Sequence, residues 1–296
     1  MSRRLLQLVF LAVPVSAFAN LSLSGDTLIW RDRTNCPVKD IRIEASLSPD
    51  QVTIASRLIR EEGGSDRLWQ QLLVRKDFKL QRVYLRWLEE HGQSREAVAF
   101  VEDMIKQRGS WSVDEYAILV LDQAWMSTRE GRMRLWAAED VIRPFIRGLV
   151  NTGQTHTLSP HLWVSLGDWL LVVSNRKETR IAYTAAWRGF EKASPGSGEE
   201  YFAEPSIICQ AIFLSRDFVN DYDGSRGEIV MSFRSDISAK GRPGNIKLLR
   251  NHSDAFPIQG LISIARKTRF RPAMRGGEFV TAEDFEFDRM VYRGAR

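Results

Sequence analysis

Through most of this chain apolar residues recur every three or four positions, but beyond Asn220-Asp221-Tyr222-Asp223-Gly224-Ser225 they recur every second position. One element cannot satisfy both periods, because a helix stripe repeats at 3.6 residues and a strand face at two. The switch therefore divides the chain into an all-helical, repeat-like region over 47–220 and a small mixed domain over 222–296. The expected class is α+β, with helices and antiparallel strands segregated along the sequence.

Helix starts are marked by capping chemistry. Ser48-Pro49-Asp50-Gln51 and Ser112-Val113-Asp114-Glu115 have a capping Ser with Gln or Glu three residues later, and Ser159-Pro160 puts Pro at a first helical position. Between these signals Leu68, Leu72, Val83, Trp87 and Leu88, then Val98, Val101, Met104 and Ile105, follow helical spacing. After a loop at 194–200, a last apolar helix is expected from about Pro205 to Phe218. Tyr84-Leu85, Leu88, Gly92, Ala97, Val101 and Met104 have the helix-turn-helix spacing of a tetratricopeptide-like unit, and Trp163, Leu166, Gly167, Ala186, Phe190 and Ala193 echo it. The region resembles tetratricopeptide or Sel1-type repeats; a short solenoid and an irregular helical bundle both fit.

The beginning of the chain reads as an export signal. Arg3 and Arg4 precede an apolar run from Leu5 to Phe18, and Ala17-Phe18-Ala19 offers the small-x-small pattern of a cleavage site before Asn20. The run is shorter than the roughly 20 residues a spanning helix needs, and Pro14 interrupts it. The expectation is a signal peptide over 1–19 and a periplasmic mature protein; if it is not cleaved, the segment anchors the chain at the inner membrane. From 20 to 46 an extended arm follows, with Leu21, Leu23 and Leu28 to Trp30 suggesting a hairpin around Gly25-Asp26.

Charge and chemistry exclude several functions. The net charge of +5 is modest, and its basic excess lies in residues 222–296, with 14 Lys and Arg against 9 Asp and Glu. Arg266, Lys267, Arg269, Arg271 and Arg275 form a basic run that suits a solvated face, or contact with an acidic peptide, peptidoglycan or anionic lipid; export argues against nucleic acid. Cys36 and Cys209 are the two cysteines; a disulfide between them and two buried thiols both remain open. His91, His156, His161 and His252 form no HExxH motif, and Gly63-Gly64 lacks a phosphate-loop context. The pairs Glu61-Glu62, Glu89-Glu90 and Glu199-Glu200 read as solvated charge, and the nine tryptophans read as core wedges before they read as a glycan platform. No catalytic residue, metal site or cofactor is expected.

The C-terminal domain reads as strand, strand, helix, strand. Ile229, Met231 and Phe233 share one face, Asn245 to Arg250 supplies a hairpin partner, and Leu261, Ile262 and Ala265 form a helical stripe. Phe285, Phe287 and Val291 alternate again in the last strand. Pro272 is expected to end the helix, Phe270 to anchor under the sheet beside Ala273, and Gly276-Gly277 to supply a positive-φ turn. These residues, with Gly227 to Phe233, Gly241 and the run Arg269-Phe270-Arg271-Pro272-Ala273-Met274-Arg275-Gly276-Gly277-Glu278-Phe279-Val280, resemble the C-terminal domain of the TonB family over the last quarter of the chain.

That resemblance implies a periplasmic domain that grips a short segment of an outer-membrane receptor or another envelope protein along a sheet edge. The edge expected here is Phe285, Glu286, Phe287, Asp288, Arg289, Met290, Val291 and Tyr292, where unpaired backbone groups accept an added strand. Family transducers also have an inner-membrane helix and a long Pro-rich spacer, whereas here a helical region stands in the spacer's place and the 10 prolines are scattered. The reading favoured is a non-enzymatic periplasmic protein that binds a partner in envelope transport in a Gram-negative bacterium. A complete energy transducer and a peptidoglycan- or glycan-binding or hydrolysing protein are the alternatives.

Overall fold

The computed structural model describes residues 21–24, 27–30, 70, 72–74, 76–90, 93–129, 135–172, 176–208, 228–251 and 258–292. The signal segment at 1–19, the capping box at Ser48, Cys36, Cys209, His91 and His252 lie outside them. The chain separates into two compact units, 1–145 and 146–296. It is a largely helical α+β protein with small antiparallel sheets in its C-terminal part.

In the first unit β1 (Leu21–Ser24) and β2 (Thr27–Trp30) pair antiparallel, with Leu21 opposite Trp30 and Leu23 opposite Leu28. Among the described residues the helices α1 (Phe78–Glu90), α2 (Ser94–Lys106) and α3 (Val113–Arg129) follow. Leu85, Leu88, Ala97, Phe100, Val101, Met104 and Leu119 are fully buried, at the three- and four-residue spacing an amphipathic stripe requires. The Tyr84 and Phe100 rings meet edge to face at 5.0 Å, joining α1 to α2. A buried bidentate pair joins α1 to α3: Arg82 Nε and Nη2 donate to Asp122 at 2.9 and 3.1 Å.

Ser112 begins α3 as its sequence context requires. Its Oγ accepts from Glu115 N–H at 3.2 Å, while the Glu115 carboxylate accepts from Ser112 N–H at 2.8 Å. Replacing Ser112 with Ala is expected to cost about 1 kcal/mol. A denaturant midpoint for the first unit that does not move would show that this cap is dispensable.

Helix α4 (Leu135–Asn151) runs across the division between the units. The second unit then contains α5 (Pro160–Val172), α6 (Arg176–Ala193) and the short α7 (Ser197–Tyr201). The described part of the second unit continues with β3 (Ser206–Ile207), β4 (Glu228–Ile237), β5 (Pro243–Asn251), α8 (Ile258–Lys267), β6 (Phe270–Arg271), β7 (Met274–Arg275), β8 (Glu278–Phe279) and β9 (Ala282–Tyr292). Helices α5 and α6 pack side by side, and Gly167 makes this close: a Cβ there would come within 2.5 Å of the Tyr183 ring. Every residue of α5 from Leu162 to Leu171 is buried, so the helix is surrounded.

The main sheet has the order β5-β4-β9, antiparallel throughout. Burial alternates strictly along Met231 to Ile237, as expected of a strand with one face on a core and one in water. Met231, Phe233, Ile237, Ala265, Phe270 and Phe287 form that core, so α8 and β6 cover the inner face of the sheet. Phe270 meets Phe287 edge to face at 4.9 Å, and Phe233 stacks on Phe287 at 5.5 Å.

Two local expectations change. Instead of opening a helix at Pro205, Ser206 and Ile207 form β3, opposite Arg271 and Phe270 of β6, and Ile208 N–H donates to Arg269 O at 2.9 Å. The partner that satisfies these backbone groups is more than 60 residues away, and 209–218 lie outside the described residues. Pro272 also does not end α8, which stops at Lys267 with Thr268 N–H on Ala265 O at 3.0 Å. The Arg269 guanidinium then takes the carbonyls of Lys267 and Thr268 at 3.1 and 3.3 Å, serving groups that a helix end leaves without partners.

Candidate functional site

Among the described residues β9 is the outermost strand of its sheet, and Phe285, Glu286, Phe287, Asp288, Arg289, Met290, Val291 and Tyr292 all belong to it. From Ser235 opposite Phe285 to Glu228 opposite Tyr292 its register against β4 is unbroken. Nearer its start the ladder is interrupted between Ser235 and Ile237, and Asp284 adopts φ 51°, a conformation costly for a residue with a Cβ. Eight regular residues therefore lie beyond an irregular start. Among the described residues no strand pairs with the other side of β9, leaving its backbone groups there open to a further strand.

The two faces of that strand differ. Phe285 and Phe287 turn toward the core, while Glu286 and Asp288 are exposed. Glu286 accepts from Arg234 Nε at 3.0 Å, holding that guanidinium above its ordinary pKa, and Asp288 accepts from Ser232 Oγ at 2.6 Å. Asp236 accepts from the Asn245 side chain at 2.6 Å and from Asp284 N–H at 3.0 Å, and these bonds hold its carboxyl below the usual value. Acid therefore concentrates along the solvent face of the open edge, with Glu283 and Asp284 also exposed.

The motif residues sit beneath the sheet. Phe270 is fully buried, Pro272 and Ala273 are buried, and Gly276 and Gly277 take φ 56° and 77° in the turn between β7 and β8. Met274 N–H donates to Phe202 O at 2.9 Å, and Gly276 N–H donates to the Glu199 carboxylate. Gly277 lies 3.3 Å from the Trp187 ring, measured from where a Cβ would stand. The motif thus ties the sheet to α6 and α7.

Arg271 is separated from the other cations of its run. It is buried, and its Nε and Nη2 donate to Asp168 of α5 at 3.1 and 2.7 Å, while Nη1 donates to Tyr201 Oη at 3.2 Å. Tyr183 Oη donates to the same aspartate at 2.6 Å; burial, then the Asp168 charge, push the Tyr183 hydroxyl's pKa well up. With both ions neutralised and hydrogen-bonded, the cluster meets the condition under which buried charge is tolerated. Its role is to join helices and strands of one unit, and sequence reading missed it. The available signal was Asp168 itself, an acid within the apolar run Leu162 to Val172, which demands a partner cation.

The remaining candidates are not brought together. His156 is exposed on a 3-10 turn, and His161 packs edge to face on Phe190 at 4.9 Å. Trp163 and Trp169 are buried, and Trp163 Nε1 donates to Thr155 O at 3.0 Å, so they act as wedges. Among the described residues no group of three or more His, Cys, Asp or Glu could hold a metal ion, and no helix is long and apolar enough to cross a membrane. No family model, curated protein or solved structure matches this chain.

Proposed function

We propose that the second unit captures an extended segment of an envelope partner protein by adding it to β9 as a further strand, in a non-enzymatic periplasmic role. The open side of the regular Phe285–Tyr292 ladder carries the reading. Main-chain hydrogen bonds to such an edge require little of the partner's sequence, and the alternating faces supply selectivity. A matching segment alternates apolar residues, continuing the Phe285 and Phe287 face, with Lys or Arg opposite Glu286 and Asp288. The likeness of Arg269 to Val280 to the TonB C-terminal domain, in which an edge strand is used this way, supports the same role.

A photo-reactive residue placed at Glu286 of the full-length chain in the producing cell is expected to cross-link a partner. The same residue at exposed Lys247, on the opposite edge strand β5, should not. Mass spectrometry should place the adduct in an apolar and basic alternating segment, and joint Glu286→Lys and Asp288→Lys changes should reduce its yield. Equal cross-linking from Lys247, or none from Glu286, would count against strand addition at β9.

A further inference from the structure

Within the second unit, the end of α5, the start of α6, the β4–β5 turn and the segment after α8 surround a cavity of about 100 Å³. Leu171, Pro272 and Phe279 give it an apolar lining. Arg180, Lys240, Arg242 and Arg269 supply four cations around them, and among the described residues no Asp or Glu lines it. Arg180 meets one acid at the limit of an ion pair, Glu278, whose Oε2 is 4.0 Å away, with both side chains well exposed. Arg180 also lies 4.6 Å above the Phe279 ring. Among the described residues Lys240, Arg242 and Arg269 have no carboxylate partner.

Hydrogen bonds fix the turn that carries Lys240 and Arg242, and the Arg269 side chain. Ser238 Oγ donates to Arg242 O at 3.0 Å and accepts from Arg242 N–H at 3.2 Å, closing the turn. Gly241, at φ 66°, accepts from Phe270 N–H at 3.0 Å, so the turn that presents Lys240 and Arg242 is fastened to β6. Arg269, half-buried, is steadied by two carbonyls. Burial, then the charge of Arg242, hold its guanidinium below the ordinary arginine pKa, so these like charges interact within the protein.

We infer that this cavity is a binding site for a small organic oxyanion, a carboxylate or phosphate carried on a compact apolar body. An oxyanion between Arg242 and Arg269 relieves their repulsion and accepts charge-assisted hydrogen bonds, while the apolar body takes the Leu171, Pro272 and Phe279 surface. The site is separate from the β9 edge, and its failure would leave the strand-addition reading untouched.

The test is titration of the full chain with benzoate, phenyl phosphate, inorganic phosphate and benzyl alcohol, followed by calorimetry and by amide shifts. Benzoate or phenyl phosphate should bind, which of the two binds more tightly identifying the headgroup; inorganic phosphate should bind more weakly and the neutral alcohol not at all. Arg242→Gln and Lys240→Gln, both at exposed positions, should each weaken binding by about tenfold without changing the melting temperature. Arg275→Gln, exposed and outside the lining, should leave binding unchanged. The proposal is overturned if neither organic anion binds, if Arg242→Gln has no effect, or if inorganic phosphate binds as tightly as phenyl phosphate. It is equally overturned if an Asp- and Glu-rich peptide binds more tightly than either small anion and loses that affinity in Arg242→Gln.

Discussion

Arg271→Ala is expected to destabilise the second unit by about 3–5 kcal/mol, enough to consume much of the stability of an ordinary domain. The substitution leaves Asp168, which is buried, without the cation whose two hydrogen bonds offset its loss of water. Tyr183 Oη still donates to that carboxylate, but a neutral donor does not replace a bidentate guanidinium. Asp168→Ala strands the opposite charge and should cost a similar amount. Replacing both, as Asp168→Leu with Arg271→Met, removes two desolvated ions together and should recover most of the loss. Denaturant unfolding followed by amide hydrogen exchange in α5 and β6 measures this. A single-variant loss below about 1 kcal/mol would place the pair in the range of a solvated surface bridge.

Gly241→Ala should be nearly as damaging for a different reason. A Cβ there would stand 1.9 Å from the Phe270 carbonyl oxygen and 3.0 Å from Leu171 Cδ2, and the backbone has φ 66°. Left-handed strain contributes roughly 1–3 kcal/mol. Moving β6 away from the turn adds roughly 1–3 kcal/mol, because Phe270 is a fully buried core residue and cannot shift alone. Gly276→Ala separates the two causes: φ is 56°, but nothing lies within 4 Å of the added Cβ. It should show the conformational cost alone. If the two variants unfold at the same denaturant midpoint, close approach to Phe270 is not what requires glycine at position 241.

Both results concern residues whose importance is unevenly visible in sequence. Gly276-Gly277 and the Ser112 cap are local devices, readable because the groups they satisfy lie within a few residues. The alternation of β4 is readable for the same reason, since one strand face must meet a core whatever covers it. The edge placement of Phe285 to Tyr292 depends instead on a strand order in which β4 is central. Arg271 is the clearest contrast. Beside Arg266, Lys267, Arg269 and Arg275 it looks like one member of a solvated basic run, yet it is buried 103 residues from its partner. Of that run, Arg269 alone lines the cationic cavity, joined there by Arg180, Lys240 and Arg242 from other elements.

Consecutive residues alone determined the α+β class, the change from helical to strand period, the capping of α3, the start of α5 at Pro160, and the turn between β7 and β8. Each follows from the periodicity or short-range hydrogen bonding of consecutive residues. Tertiary structure alone decided that Ser206 and Ile207 pair with β6, that Asp168 neutralises Arg271, that Gly241 must yield to Phe270, and that four cations converge on one cavity. Those arrangements depend on which distant backbone and side-chain groups meet once water is excluded, and no local pattern in the chain encodes that meeting.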